Sequence, residues 1–304
     1  MRKLRSRFGW IDTNRTFDSL VYVAGTARSG TTWLAELLNY RKSYRFIFEP
    51  FHNHLGPLRG QLDERYRDPR DDDPAFRGAA ERILLGKFRD YYTGKYNTKL
   101  ISSQRLIKDI HSNLMLKWFR EKFPYFPLIL IIRHPCAVAH SSTRLGWSHQ
   151  LPVFLSQQSL VEEHLEPFVE DIAKARDDFE RFIFHWCIET YVPLRQIDAG
   201  DRICVVFFEH LARNPQAELD RVFAYIGDEH GSAALEHLAR PSATTWHAHS
   251  QQARAVEEAR FAWRESLGVE RARRARQILS LFGLDRLYTE DVDPVLVDPV
   301  GVVH

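Results

Sequence analysis

Cysteine is scarce in this 304-residue chain: Cys136, Cys187 and Cys204 make an odd number at wide spacing. That excludes a disulfide-framed secreted module and offers no zinc-type spacing, so a reducing compartment is expected. An excess of one charge is also missing, because 42 Lys and Arg face 40 Asp and Glu for a formal +2. A polyanion such as nucleic acid is therefore not a required partner, although local basic clusters stay possible. Long apolar runs are absent too. The basic start Met1-Arg2-Lys3-Leu4-Arg5 leads into no stretch of signal-peptide or anchor type, so a soluble, cytoplasmic protein without stable membrane insertion is expected. What the chain does have, 44% apolar and 27% charged residues, suits one globular domain over residues 1–304 with a sizeable core.

Short apolar runs alternate with longer helix-period segments, the pattern of a mostly parallel sheet flanked by helices in an α/β fold. Strands are expected at Leu20–Ala24, Arg45–Phe48, Arg105–Lys108, Leu128–Ile132 and Arg202–Phe208, and helices from near Gly30, Asn113, Pro135, Val169 and Pro215. Residues 57–78, with the run Asp71-Asp72-Asp73, read as a solvated loop or lid insertion. Arg271, Arg273, Arg274 and Arg276 read as the solvent side of a late helix.

The most informative stretch joins the first apolar run to a helix: Gly25-Thr26-Ala27-Arg28-Ser29-Gly30-Thr31-Thr32-Trp33. Glycines let the backbone approach an anion, and the helix start aims its N–H groups and partial positive charge at it. A nucleotide triphosphatase loop would carry Lys after the second glycine, whereas here Thr31 follows Gly30 and the cation stands earlier, at Arg28. The ligand expected is phosphorylated and is not ATP. A second strand-to-helix junction, Leu128–Ile132 into Arg133-His134-Pro135, ends with Ser141 eight residues after Arg133. A guanidinium at a strand's carboxyl end grips phosphate with paired hydrogen bonds; a structural ion pair is the plainer alternative for Arg133 alone.

Together these two motifs resemble the sulfotransferases that use 3′-phosphoadenosine-5′-phosphosulfate (PAPS), in the carbohydrate-type and bacterial branch. Arg28-Ser29-Gly30-Thr31-Thr32-Trp33 is similar to that family's 5′-phosphosulfate loop, and Arg133 with Ser141 to its 3′-phosphate pair. Phe207-Phe208-Glu209-His210-Leu211 and Trp263-Arg264 resemble later elements, while His134 stands where the family more often has Asp. The resemblance implies a P-loop-like three-layer fold, PAPS as cosubstrate, adenosine 3′,5′-bisphosphate (PAP) as product, and no required metal. It also implies Trp33 near the adenine and Trp263 and Arg264 near the cofactor; for both tryptophans ordinary core packing is the alternative.

Glu49-Pro50, after the second strand, resembles the catalytic base of that branch, and His111, three residues after Lys108, is the alternative base. Lys108 and Arg28 are candidates to stabilise charge on the leaving oxygen. The expected reaction is in-line transfer: Glu49 takes the proton of an acceptor hydroxyl or amine, that atom attacks sulfur, and PAP departs. His52 and His54 follow the base, and Thr244 and His247 lie in a later loop; all four are expected to contact a small-molecule or glycan acceptor rather than a metal. A P-loop kinase or hydrolase, and a non-catalytic nucleotide-binding protein, are the competing classes.

Overall fold

The computed structural model describes residues 10–58, 65–238 and 256–295, with the side chains of 256–259 excluded. Five parallel strands form the sheet: β1 Leu20–Ala24, β2 Arg45–Phe48, β3 Arg105–Lys108, β4 Leu128–Ile132 and β5 Cys204–Phe207. Their order across it is β2-β3-β1-β4-β5. Four of the expected strands match to the residue. The fifth is shorter than expected, because Arg202 turns left-handed at φ 51° and Phe208 already opens a helix.

Each strand is buried on both faces, which is why the strand centres are continuously apolar rather than alternating. Tyr22, Ile107, Leu130 and Phe207 point into one core. Val21, Val23, Leu106, Ile129 and Val206 point into the other. Helices cover both: α1 Thr31–Leu38, α2 Pro74–Leu84, α3 Leu116–Lys122, α4 Pro135–Arg144, α5 Asp178–Gln196, α6 Phe208–Arg213, α7 Pro215–Ile226, α8 Ser232–Leu238 and α9 Val256–Leu281, interrupted at Gly268. Helices α1 and α7 pack on the second core, and α3, α4, α5 and α9 on the first. The result is a three-layer, P-loop-like α/β fold. Among the described residues no helix is long and apolar enough to cross a membrane.

Two helix boundaries differ from expectation. Near Val169 only one turn forms, Val169–Ala173, and the long α5 starts at Asp178, where the Asp177 carboxylate accepts the Glu180 N–H at 2.9 Å. The segment around the acidic run holds a helix start rather than only loop. Asp73 Oδ1 accepts the Ala75 N–H at 2.9 Å, and Pro74 occupies the first helical position. Asp73→Ala should therefore lower stability by about 1 kcal/mol, seen as a melting temperature about 2–4 °C lower; an unchanged melting temperature would dismiss the cap. The late arginines are engaged at the surface as expected, Arg271 with Asp177 at 3.1 Å and Arg274 with Glu180 at 3.1 Å.

Chain order reverses at β1: the chain runs from β1 out to β2, back to β3, then across to β4 on the other side. Ligands of such sheets bind beyond the carboxyl ends of the strands at that switch point. The opposite edge is occupied by structural charge, with the buried Arg45 guanidinium paired to Asp12 and Arg105 donating to the carbonyls of Asn14 and Thr16, both at 2.6 Å.

Candidate functional site

The loop after β1 and the turn after β4 meet at this switch point. Glycine is required twice. A Cβ on Gly25 would stand 2.5 Å from the Ile131 carbonyl oxygen, so a side chain there would push β1 from β4. Gly30 has φ +95°, and a Cβ would stand 2.8 Å from the Phe208 ring. Between them Arg28 is left-handed at φ 72°, a conformation uncommon for a residue with a side chain. Ser29 closes the loop by donating its hydroxyl to the Thr26 carbonyl at 2.6 Å. Thr31 and Thr32 open α1, where first-turn N–H groups have no partner within the helix. A loop of this geometry can cradle an anion with its backbone N–H groups.

The two motifs are interlocked. Arg28 Nε donates to Ser141 Oγ at 3.0 Å, and Arg133 Nη1 donates to the Arg28 carbonyl at 3.1 Å. The Arg133 guanidinium lies 4.2 Å over the Phe208 ring. Burial pulls the Arg133 pKa down to about 10, with Glu209 opposing and Arg28 adding to the fall. Burial also lowers Arg28. Two guanidiniums held together in partly desolvated surroundings are favourable once an anion joins them.

His134, in place of the Asp implied by the resemblance, caps α4. Its Nδ1 accepts the Cys136 N–H at 3.2 Å, and its Nε2 lies 3.3 Å from the Thr289 carbonyl. That pairing requires the neutral tautomer with hydrogen on Nε2. Glu209 fixes the same turn: one oxygen accepts the His134 N–H at 2.9 Å, the other the Tyr288 hydroxyl at 2.7 Å. Burial holds His134 down to about 3. Unfolded chains protonate this side chain at the ordinary histidine value, so between there and about 3 the unfolded state binds more protons and stability falls with acidification. His134→Gln should flatten the loss between about pH 7 and about pH 5, worth up to ~1.4 kcal/mol per pH unit for one proton. Urea unfolding at both values measures it; an unchanged slope would refute the assignment.

At the ends of β2 and β3, Glu49 is left-handed at φ 45° and buried. Its Oε1 accepts from the Lys108 ammonium, and its Oε2 accepts the Tyr92 hydroxyl at 2.5 Å. His111 Nε2 is 3.9 Å from Oε2. Burial pushes this carboxyl upward, but Lys108 and His111 outweigh it and leave it well below the ordinary range. Asp109 sets the turn beneath, accepting the Phe51 N–H at 2.9 Å and the His111 N–H at 2.6 Å. The His52 ring is 4.6 Å from His111 and 5.3 Å from Tyr92, and burial lowers its pKa to about 4.

The structure thus gathers Arg28, Ser29, Gly30, Thr31, Thr32, Arg133 and Ser141 in one cluster, and Glu49, Lys108, His111 and His52 in another on the same edge. Other expected residues are placed differently. Trp33 is buried against Phe208, with ring centroids 5.2 Å apart. Trp263 is buried with its face stacked on His134 at 4.3 Å. Arg264 donates to the Glu290 carbonyl at 2.7 Å and to Asp291 at 3.1 Å. Both tryptophans pack in the core and Arg264 pairs at the surface. His54 is exposed, its backbone N–H donating to His52 Nδ1 at 3.1 Å. Thr244 and His247 lie outside the described residues.

Several residues at the site belong to no motif singled out from the sequence. Tyr92 sits in an irregular loop, and Arg65, His185 and Glu189 line a cavity of about 100 Å³ beside Thr26, Ala27 and His111. The capping pattern at Asp177 to Glu180 was visible and would have placed α5, hence His185 and Glu189, in register.

The fold and this edge define an α/β protein with a P-loop-like turn hydrogen-bonded to a second, arginine-bearing turn. A family model described as the sulfotransferase family matches residues 21–230, and the chain belongs to that family. Among solved structures it is similar to the sulfotransferase domain of the Synechococcus olefin synthase, at 17% identity over 86% of this chain and 92% of that one, with a TM-score of 0.47. It is similar to the sulfotransferase domain of the curacin biosynthetic pathway, at 16% identity over 87% and 98%, with a TM-score of 0.48. A mouse sulfotransferase in complex with PAP is similar at 13% identity over 92% and 88%, with a TM-score of 0.46. Curated protein sequences yielded no match.

Proposed function

We propose that the protein transfers a sulfuryl group from PAPS to a hydroxyl or amine of a small-molecule or glycan acceptor. The observation that carries this reading is the interlock of Arg28, Ser141 and Arg133, which joins two anion-binding motifs more than a hundred residues apart in sequence. A kinase-type loop has no use for the second motif, whereas a nucleotide with phosphate at both ends of its ribose does. Membership of the sulfotransferase family supports the same reaction.

Bound PAPS would supply the activated sulfuryl group and leave as PAP. The loop amides of Gly30 to Thr32 and the Arg28 guanidinium would hold the 5′ end, and Arg133 with Ser141 the 3′-phosphate. Lys108 would place positive charge where the leaving oxygen becomes negative. Glu49, kept ionised by Lys108 and Tyr92, would accept the acceptor's proton. Such a low-pKa carboxylate serves because the acceptor hydroxyl becomes acidic only as its bond to sulfur forms. A second reading is favoured by one observation: His111 lines the cavity, and Glu49 stands behind it at 3.9 Å. There His111 would take the proton and Glu49 would orient the ring.

A thermal-shift titration without magnesium tests the cosubstrate. PAP should stabilise the protein selectively over ADP and ATP, because only the second motif rewards a 3′-phosphate. An equal or larger response to ATP would reject the reading in favour of a nucleotide kinase or hydrolase.

A further inference from the structure

Among the described residues, the cavity beside the phosphate loop is lined by a guanidinium with no hydrogen-bond partner. Arg65 lines it together with Thr26, His111, Trp147, Phe182 and Glu189. The Arg65 backbone N–H is held by Gln157 Oε1 at 2.8 Å, which anchors the residue, but among the described residues its guanidinium makes no hydrogen bond or ion pair. The two carboxylates that influence it are committed elsewhere. Glu189 Oε2 accepts from Asn113 Nδ2 at 3.2 Å, and its Oε1 lies 3.3 Å from His185 Nε2. Asp109 takes two backbone N–H groups. Burial lowers Arg65, with Glu189 and Asp109 only opposing the fall from a distance. A guanidinium offers five donors in a planar fork matched to a carboxylate. Leaving it unpaired in a cavity that a ligand will dry is costly, and an anionic ligand removes that cost. Trp147, Phe182 and Val138 give the same cavity apolar walls for the body of the ligand.

We infer that the acceptor is a hydroxy acid with an aryl or alkyl body, whose carboxylate is gripped by Arg65 while its hydroxyl faces His111 and the phosphate loop. This rests on the sulfuryl-transfer reading for the direction in which the acceptor lies, and not for the presence of an anion subsite.

The test uses the full chain, with and without PAP, and matched probes: para-hydroxybenzoate and hydroxyhexanoate against their methyl esters, titrated by calorimetry. At least one acid should bind about tenfold or more tightly than its ester, the strength of a charge-assisted pair. Arg65→Gln should erase that preference and leave PAP affinity and melting temperature unchanged. Esters binding as well as acids, a preference that survives Arg65→Gln, or no binding of either acid would overturn the inference. Weaker binding of PAPS relative to PAP in Arg65→Gln, with the acids unaffected, would assign Arg65 to the transferring group and also overturn it. Failure of PAP itself to bind would count against the cosubstrate, while the acid and ester comparison on the PAP-free protein would still decide the role of Arg65.

Discussion

Glu49→Gln should lower kcat by ~10²–10⁴, the range for loss of a positioned general base, while PAP affinity changes little. Glutamine keeps the shape and can still accept the Tyr92 hydroxyl, but it cannot hold a proton and leaves the Lys108 ammonium without its buried counter-charge. The melting temperature should therefore fall as well, because removing one partner of a buried pair exposes the cost of the other. Retained PAP binding separates lost chemistry from lost fold. His111→Gln decides which group takes the proton. If Glu49 is the base, His111→Gln loses less than about tenfold in kcat, since it then removes only a weak neighbour at 3.9 Å. If His111→Gln loses as much as Glu49→Gln, the proton goes to the imidazole. Undiminished turnover in Glu49→Gln, measured at saturating cosubstrate, would remove Glu49 from the chemistry altogether.

The sheet was readable because burial on both faces writes the strand centres as apolar runs, most of them bounded by charge or glycine. Leu128–Ile132 followed by Arg133 is the clearest case. The same property hid the end of β5: Phe208 continues the apolar run, yet it begins α6 and turns its ring under Arg133 and against Gly30. Periodicity does not separate a buried strand from the first turn of a buried helix. At the site, spacing singled out the two motifs proposed for phosphate, since one loop and one strand end each carry a local pattern. It did not disclose that Arg28 and Ser141 bond directly, because that contact spans 113 residues and is made by tertiary packing. Tyr92 on Glu49 and Arg65 in the cavity are of the same kind. Trp263, expected near the cofactor with core packing as the alternative, stacks on His134, a contact between distant parts of the chain that no local pattern discloses.

Arg133→Ala should weaken PAP binding by roughly 30-fold to several thousand-fold, the ~2–5 kcal/mol expected when one side of a desolvated charge pair is truncated. ADP, which lacks the 3′-phosphate, supplies the control. Arg133 has two separable roles: the fork at the end of β4 that the proposal gives to the 3′-phosphate, and the hydrogen bond from Nη1 to the Arg28 carbonyl that braces the loop. Loss of the first weakens PAP alone, so the preference for PAP over ADP collapses toward unity. Loss of the second deforms the cradle and weakens both nucleotides equally, so the preference survives. Glu209→Gln provides the complementary test. Glu209 holds the turn through the His134 N–H and Tyr288. It should erode the PAP preference less than Arg133→Ala, because the guanidinium stays while its turn loosens. A collapse confined to the 3′-phosphate in Arg133→Ala, with partial erosion in Glu209→Gln, is the pattern that a dedicated PAP site predicts; a uniform loss with both nucleotides would reduce Arg133 to a brace.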